Sequence, residues 1–158
     1  MCLGAGVRNC TSLFILVPME WLVIGHIGLA WYMVGLIWFV QVVHYPLMGH
    51  VPKEAFVAYE HGHTQLTSYV TAPVMVVELG TAIWLAMVMD HPAWFWWINL
   101  LLVLLLWAST FFIQVPLHGR LSDNHDHENI RRLVRSNWIR TALWTGKGLA
   151  LAWYLIVF

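Results

Sequence analysis

The chain has 158 residues, of which 60% are hydrophobic and 10% are charged. Soluble domains carry about 25% charged residues, so this composition indicates a single-domain membrane protein. Lysine plus arginine and aspartate plus glutamate balance at eight each, so the net charge gives no indication of a nucleic-acid partner, and we expect none. The eleven tryptophans are typical of the aromatic belts at the two membrane surfaces.

The first eighteen residues differ from the rest of the chain. They contain both cysteines, Cys2 and Cys10, which excludes a disulfide framework and a cysteine-rich metal site. Their apolar run, Leu13 to Val17, is shorter than the apolar region of a signal peptide and has no small-residue cleavage site. We interpret residues 1–18 as a loose or interfacial extension, with Met19 as an alternative start.

Four segments of the remaining domain, residues 19–158, are long and apolar enough to cross a bilayer, which takes about 20 residues. The predicted spans are about 20–45, 66–89, 93–115 and 138–157. Residues 53–65 read as an amphipathic lead-in to the second span, and Pro73 predicts a kink within it. The predicted fold is therefore all-α, a four-helix transmembrane bundle.

The first and third helices end in similar sequences. Residues 39–42 (FVQV) and 112–115 (FIQV) are each followed by Pro-Leu with a histidine nearby. The similarity favours two pseudo-repeated helical hairpins related by an axis along the membrane normal, although chance similarity between two apolar helix ends is the alternative. A true repeat places the two glutamines opposite each other, and Glu78 opposite Lys147.

The basic residues predict the orientation, because cytoplasmic loops of membrane proteins are enriched in lysine and arginine. The connections between helices 1 and 2 and between helices 3 and 4 are flanked by Lys53, Arg120, Arg131, Arg132 and Arg135. The opposite end has Arg8. We expect both connections to be cytoplasmic and both termini to be outside, with the arginines close to anionic lipid headgroups.

Two charged residues fall inside the predicted spans. A carboxylate in hydrocarbon is costly unless it is neutral, paired or bound to a cation. Glu78 lies roughly 18 Å and Lys147 roughly 14 Å from the cytoplasmic boundary, at about 1.5 Å per helical residue. We expect the two to pair or to share water, either as a structural ion pair or as a proton-active or ligand-binding centre.

Every predicted helix also places polar residues three or four positions apart, which puts them on one helix face. These residues are Gln41 and His44, Tyr59 and His63, Gln114 and His118, and Asn137, Arg140 and Lys147. We predict that these stripes converge, together with Glu78, on an intramembrane polar site in the cytoplasmic half of the bundle.

Histidines on facing helices suggest a cofactor, because helix bundles build metal and haem sites in this way. His44, His63 and His118 are the candidate ligands, and haem b or a metal ion is the candidate cofactor. A di-iron carboxylate site is excluded, since it needs several acids and Glu78 is the one intramembrane acid. For His26 we favour a hydrogen-bonded contact between helices.

Glycine pairs at residues 25–28 and 146–148 are expected to let helices approach closely. The chain has no Gly-x-Ser-x-Gly, no phosphate-binding loop and no His-Glu-x-x-His motif. No catalytic residue is therefore assigned, and whether the protein is an enzyme stays open.

Several motifs resemble those of a group of uncharacterised small four-helix bacterial membrane proteins. They are residues 44–47 (HYPL), 73–78 (PVMVVE), 114–118 (QVPLH) and 137–144 (NWIRTALW), with Phe56, Tyr59 and His63. The likeness covers about residues 20–157. It implies the four-helix fold and the bacterial inner membrane, and it implies no activity.

Helix 1 is also similar, less closely, to that of the small haem-binding membrane protoporphyrinogen oxidase. The similarity consists of His26-Ile27, Trp31 and residues 35–38 (GLIW). The spacing differs from that family, and its later basic and tryptophan motifs are absent. The likeness therefore does not make His26 a haem ligand.

These observations favour a binding or accessory membrane subunit with a polar site inside the bundle. One alternative is a haem- or metal-dependent membrane oxidoreductase. Another is a small proton-coupled carrier that uses Glu78 and acts as an oligomer. The expected partners are the lipid bilayer and either further copies of the chain or a larger membrane complex.

Overall fold

The computed structural model describes residues 18–158, and within them four helices form a bundle. The helices are α1, Met19–Met48; α2, Lys53–Val88; α3, Ala93–Asp123; and α4, His127–Val157. The predicted all-helical bundle is confirmed. Residues 1–17, which hold most of the predicted extension and both cysteines, lie outside the described residues.

Three of the helices in residues 18–158, namely α1, α2 and α3, are long and apolar enough to cross a membrane. The chain is therefore a membrane protein. Helix α4 is 31 residues long, but it is not one of these three helices. Arg140 and Lys147 lower the mean hydropathy of its second half, so the fourth span, 138–157, stays a prediction.

Two helices continue past the prolines at which their spans were predicted to end. Proline usually stops a helix, because it lacks an N–H and its ring clashes with the carbonyl four residues earlier. Here Pro46 and Pro116 each follow a five-residue π-helical turn, Val40–His44 and Thr110–Gln114. In a π turn the hydrogen bonds reach one residue further back, which displaces that carbonyl and lets the helix continue. Helix α3 consequently includes the first part of the predicted loop 119–129.

The two hairpins, α1–α2 and α3–α4, pack so that α1 lies diagonally opposite α3, and α2 lies diagonally opposite α4. Helices α1 and α3 both pack against α2 and α4, and the diagonal pairs meet through side chains near the bundle axis. His26 contacts Asn99 and Tyr45 contacts His118, and in both pairs the separation is 73 residues. Two contacts with the same separation are what an internal twofold axis between α1 and α3 produces, as the predicted repeat requires.

Apolar clusters fill the bundle at three levels. One cluster, around Trp96 and Leu85, lies near the end of the bundle where α1 begins and α4 ends. A second cluster, around Phe56 and Leu133, lies at the opposite end, near the α1–α2 and α3–α4 connections. Trp144 and its neighbours form the middle level. Large apolar side chains also cover the exterior, and Phe112 is 81% exposed. Such exposure suits a lipid-facing surface.

Gly148 is the glycine at which α4 meets α1. A Cβ at this position would lie 3.1 Å from Cγ2 of Val34, closer than ordinary van der Waals contact. The prediction of close approach is wrong for Gly25, Gly28 and Gly146, because a Cβ at any of them has no neighbour within 4 Å among residues 18–158. These three glycines are exposed, whereas Gly148 is buried.

We expect Gly148→Val to lower the free energy of unfolding by about 1–3 kcal/mol, because the added methyl groups overpack the contact with α1. Gly146→Val is the matched control, since it makes the same change in the same helix at an open position. Thermal unfolding of both variants in detergent measures the difference. Equal loss of stability in the two variants would contradict this role for Gly148.

Candidate functional site

A buried ion pair joins α2 and α4 across the bundle. Nζ of Lys147 lies 2.6 Å from Oε1 of Glu78, and each side chain is 1% exposed. The indole N–H of Trp144 donates to the other carboxylate oxygen at 3.3 Å. Both oxygens of the acid are therefore partnered within the protein, which offsets the cost of burying the two charges.

His26 holds a second layer of polar contacts between α1, α2 and α3. Its Nδ1 lies 2.7 Å from the hydroxyl of Thr81, and its Nε2 lies 3.1 Å from the amide nitrogen of Asn99. The Thr81 hydroxyl donates to the backbone carbonyl of Val77, so it accepts from Nδ1–H, and Nε2 accepts from the amide. The predicted hydrogen-bonded helix contact at His26 is confirmed.

A third polar layer lies at the connection end and includes an acid that the sequence analysis placed outside the spans. Glu60 is fully buried, and its Oε1 lies 2.5 Å from Nδ1 of His118. Nε2 of His118 lies 3.1 Å from the hydroxyl of Tyr45. With Glu60 ionised, His118 donates through Nδ1 and accepts from Tyr45 through Nε2. The spacing from Glu60 to His63, three residues on one helix face, is the signal that could have revealed this acid.

The structure brings the three candidate histidine ligands together. The ring centroids of His44 and His63 are 4.3 Å apart, and those of His63 and His118 are 5.4 Å apart. The hydroxyl of Tyr59 lies 3.4 Å from Nε2 of His44. The rings of His44 and His63 are stacked, so they present their faces rather than their nitrogen lone pairs to each other. No group of three histidine, cysteine or acidic side chains within residues 18–158 is positioned to hold one metal ion.

The two glutamines that the repeat places opposite each other both contact α4. The Gln41 amide donates to the carbonyl of Val134 and accepts from the amide of Asn137 at 2.9 Å. The Gln114 amide donates to the hydroxyl of Ser136 at 3.2 Å. No hydrogen bond links the glutamines to each other within the described chain, and each tethers its helix to α4 instead.

Arg140 differs from Lys147, because no described carboxylate forms a salt bridge with it. The guanidinium donates to Asn137 at 3.4 Å and lies over the ring of Trp144, at 5.1 Å from its centroid. Arg140 is 9% exposed, and its Nε has no hydrogen-bond partner among the described residues. Oε1 of Gln114 also lacks a partner in this part of the chain.

Arg140 and Gln114 line a cleft of about 380 Å³ between α1, α2 and α3. Its apolar wall belongs to α1 and consists of Met33, Leu36, Ile37 and Val40. Its hydroxyl-bearing wall belongs to α2 and consists of Thr64, Thr67, Ser68 and Thr71. Tyr45, His63 and His118 line it as well. The cleft thus combines an unpaired buried cation, hydroxyl groups and apolar surface.

The predicted site residues therefore lie in separate places. Glu78 and Lys147 form a closed pair in the middle of the bundle, while Gln114 and Arg140 face the cleft with His63 and His118. Four other predicted residues lie beside the cleft and do not line it, namely Gln41, Asn137, His44 and Tyr59.

Comparison with known proteins adds no family to this picture. A scan against protein-family models, a search of curated proteins and a search of solved structures each return no match. The likeness to small bacterial membrane proteins stays an expectation, and the geometry of the site carries the functional proposal.

Replacing Lys147 tests the ion pair. We expect Lys147→Met to lower the free energy of unfolding by about 3–5 kcal/mol, because it leaves the Glu78 carboxylate buried without its cation. The double substitution Glu78→Gln/Lys147→Met removes both charges and is expected to recover most of that loss. Chemical unfolding in detergent measures the unmodified chain, the two single variants Lys147→Met and Glu78→Gln, and the double variant.

Lys53→Met is the control for this series, because Lys53 is exposed at the start of α2 and forms no described ion pair. A double variant as unstable as the sum of its two single variants would show that the charges do not depend on each other.

Proposed function

We propose that this protein is a membrane binding subunit that holds a small molecule in the cleft between α1, α2 and α3. The ligand is an apolar molecule with two polar groups: an anion or a strong hydrogen-bond acceptor, and a hydrogen-bond donor beside it. The single observation behind the proposal is the buried guanidinium of Arg140, which has no salt-bridge partner in the described chain.

The charge of the site supports an anionic ligand. A buried cation without a counter-ion is costly, whereas one paired with a hydrogen-bonded anion is stabilised. The planar guanidinium of arginine binds carboxylate and phosphate groups through two parallel hydrogen bonds, so the free Nε of Arg140 suits such a group. The free Oε1 of Gln114 accepts, and it suits a hydroxyl or N–H of the same ligand.

The size and walls of the cleft support a small amphipathic ligand. Small-molecule sites typically span about 300–1,000 Å³, and the cleft, at about 380 Å³, lies at the lower end of that range. Its α1 wall is apolar, so it suits a ring or short chain. The α2 hydroxyls of Thr64, Ser68 and Thr71 donate to backbone carbonyls of the preceding turn, and their oxygens remain available as acceptors.

A small hydroxylated aromatic acid, 4-hydroxybenzoate, is a suitable probe. We expect it to bind the detergent-solubilised full chain and Arg140→Gln to weaken binding about 10- to 100-fold, because a charge-assisted hydrogen bond contributes about 1.5–3 kcal/mol. Arg140→Lys, which keeps the charge, is expected to lose less. Isothermal titration calorimetry measures each affinity.

Two comparisons make this test specific. Arg131→Gln removes an exposed arginine from the same helix and is expected to bind the probe like the unmodified chain. The methyl ester of the probe lacks the negative charge and is expected to bind weakly. Equal binding of acid and ester, or unchanged binding by a folded Arg140→Gln variant, would refute the proposal.

The grouping of His44, His63 and His118 is the observation that favours the second candidate function, a haem- or metal-dependent oxidoreductase. A cofactor there would require the stacked rings to turn so that their nitrogens converge. The absorption spectrum and metal content of the purified protein decide between the two functions. A coloured or metal-loaded preparation that loses its cofactor on His63→Ala would favour this alternative.

We also propose that the protein lies in the bacterial inner membrane with both helix connections in the cytoplasm. Lys53 begins α2, and Arg120, Arg131, Arg132 and Arg135 lie near the connection from α3 to α4, so all five basic residues are at one end of the bundle. Cytoplasmic ends of membrane proteins carry this excess.

Cysteine labelling tests the orientation. In a chain whose native cysteines are replaced by serine, we expect Asn124→Cys in the α3–α4 connection to resist a membrane-impermeant maleimide in intact cells. Phe158→Cys, at the other end of the bundle, is expected to react. The reverse labelling pattern would overturn the orientation.

A further inference from the structure

A second cavity lies on the outside of the bundle, between α3 and α4 at the connection end. This groove has a volume of about 580 Å³ and shares no lining residue with the cleft described above. One part of its lining is apolar and comes from Phe112, Ile113 and Pro116 of α3. The other part carries Arg120, Arg132 and Arg135.

We propose that this α3–α4 groove binds one anionic phospholipid, whose phosphate lies between Arg120 and Arg135 and whose acyl chain follows the apolar face of α3. The proposal does not rest on the function of the cleft. It rests on charge complementarity, on the apolar lining beside the charges, and on the position of both relative to the membrane.

Two of the three arginines are available to a ligand. Arg120 and Arg135 are exposed, and they form neither a side-chain hydrogen bond nor a salt bridge with the residues the structure describes. They belong to different helices and face the same groove. Two guanidinium groups on either side of a groove are suited to one phosphate, which each binds through paired hydrogen bonds.

The one acid in the groove does not cancel this charge. Oε2 of Glu128 lies 2.7 Å from Arg131, and its Oε1 lies 3.0 Å from Arg132. Hydrogen bonds from Arg131 and Arg132 lower the pKa of the Glu128 carboxyl, so it stays ionised and paired with those arginines. Glu128 is thus shared between Arg131 and Arg132 and leaves Arg120 and Arg135 without a salt bridge among the described residues.

The order of residues along α3 matches the order of groups in a lipid. Phe112 is 81% exposed and belongs to the lipid-facing surface. Arg120 follows it by two helical turns, which corresponds to about 12 Å along the helix axis. The arginines therefore lie at headgroup depth when Phe112 contacts acyl chains. The choline group of phosphatidylcholine is positively charged and would lie beside Arg120 and Arg135. We therefore expect the groove to prefer a lipid with an anionic headgroup over phosphatidylcholine.

Native mass spectrometry of the full chain, delipidated in detergent, tests this inference. On addition of phosphatidylglycerol we expect one lipid to remain bound at low concentration, whereas phosphatidylcholine binds more weakly. The double variant Arg120→Gln/Arg135→Gln is expected to bind phosphatidylglycerol about 10- to 30-fold more weakly, since a basic residue near the membrane surface contributes about 1 kcal/mol. Lys53→Gln, which changes a basic residue at the other connection, is the control and should bind as before.

Three results would overturn the inference. The first is equal binding of phosphatidylglycerol and phosphatidylcholine, and the second is unchanged binding by the double variant. The third is inorganic phosphate displacing the lipid at equal concentration, which would mean that the groove recognises a free anion. If circular dichroism shows that the double variant does not fold, the single variants Arg120→Gln and Arg135→Gln are measured, and each is expected to weaken binding by about 5-fold.

Discussion

The pair formed by Glu78 and Lys147 is the contact on which the arrangement of the bundle depends. Each charge alone would be expelled from an apolar interior, and together they require α2 and α4 to face each other across the axis. Trp144 satisfies the second carboxylate oxygen from the same helix as the lysine. The two diagonal helices therefore have one register in which both charges are partnered, and α1 and α3 pack around it.

Helix α4 carries two buried cations with different neighbours. The ammonium of Lys147 is enclosed with a carboxylate, whereas the guanidinium of Arg140, two turns earlier, has an amide and an aromatic ring as its neighbours. Lys147 therefore has a carboxylate partner, whereas no carboxylate among residues 18–158 pairs with Arg140. The contrast distinguishes a closed ion pair from a cation that faces the cleft, within a single helix.

The π-helical turns that let α1 and α3 continue past their prolines also hold polar contacts. The π-helical turns before Pro46 and Pro116 hold Gln41 and Gln114, and both glutamines bind α4. A π turn rotates the following residues relative to an ideal α-helix. Tyr45 and His118 follow these turns, and His118 contacts both Tyr45 and Glu60, so the backbone irregularity and the third polar layer occur together. The same device in both hairpins is consistent with an internal repeat.

The amino-acid sequence by itself determined the number of helices and their apolar character, because hydropathy and helical periodicity are properties of the local chain. It did not reveal that the helices pass their prolines, since a π turn cannot be recognised from residue types alone. Glu60 was overlooked because its burial depends on α3 folding beside it. Only the tertiary structure decided that Lys147 has a carboxylate partner and that Arg140 has none within residues 18–158, since partnership depends on which helices are neighbours and on how each is rotated.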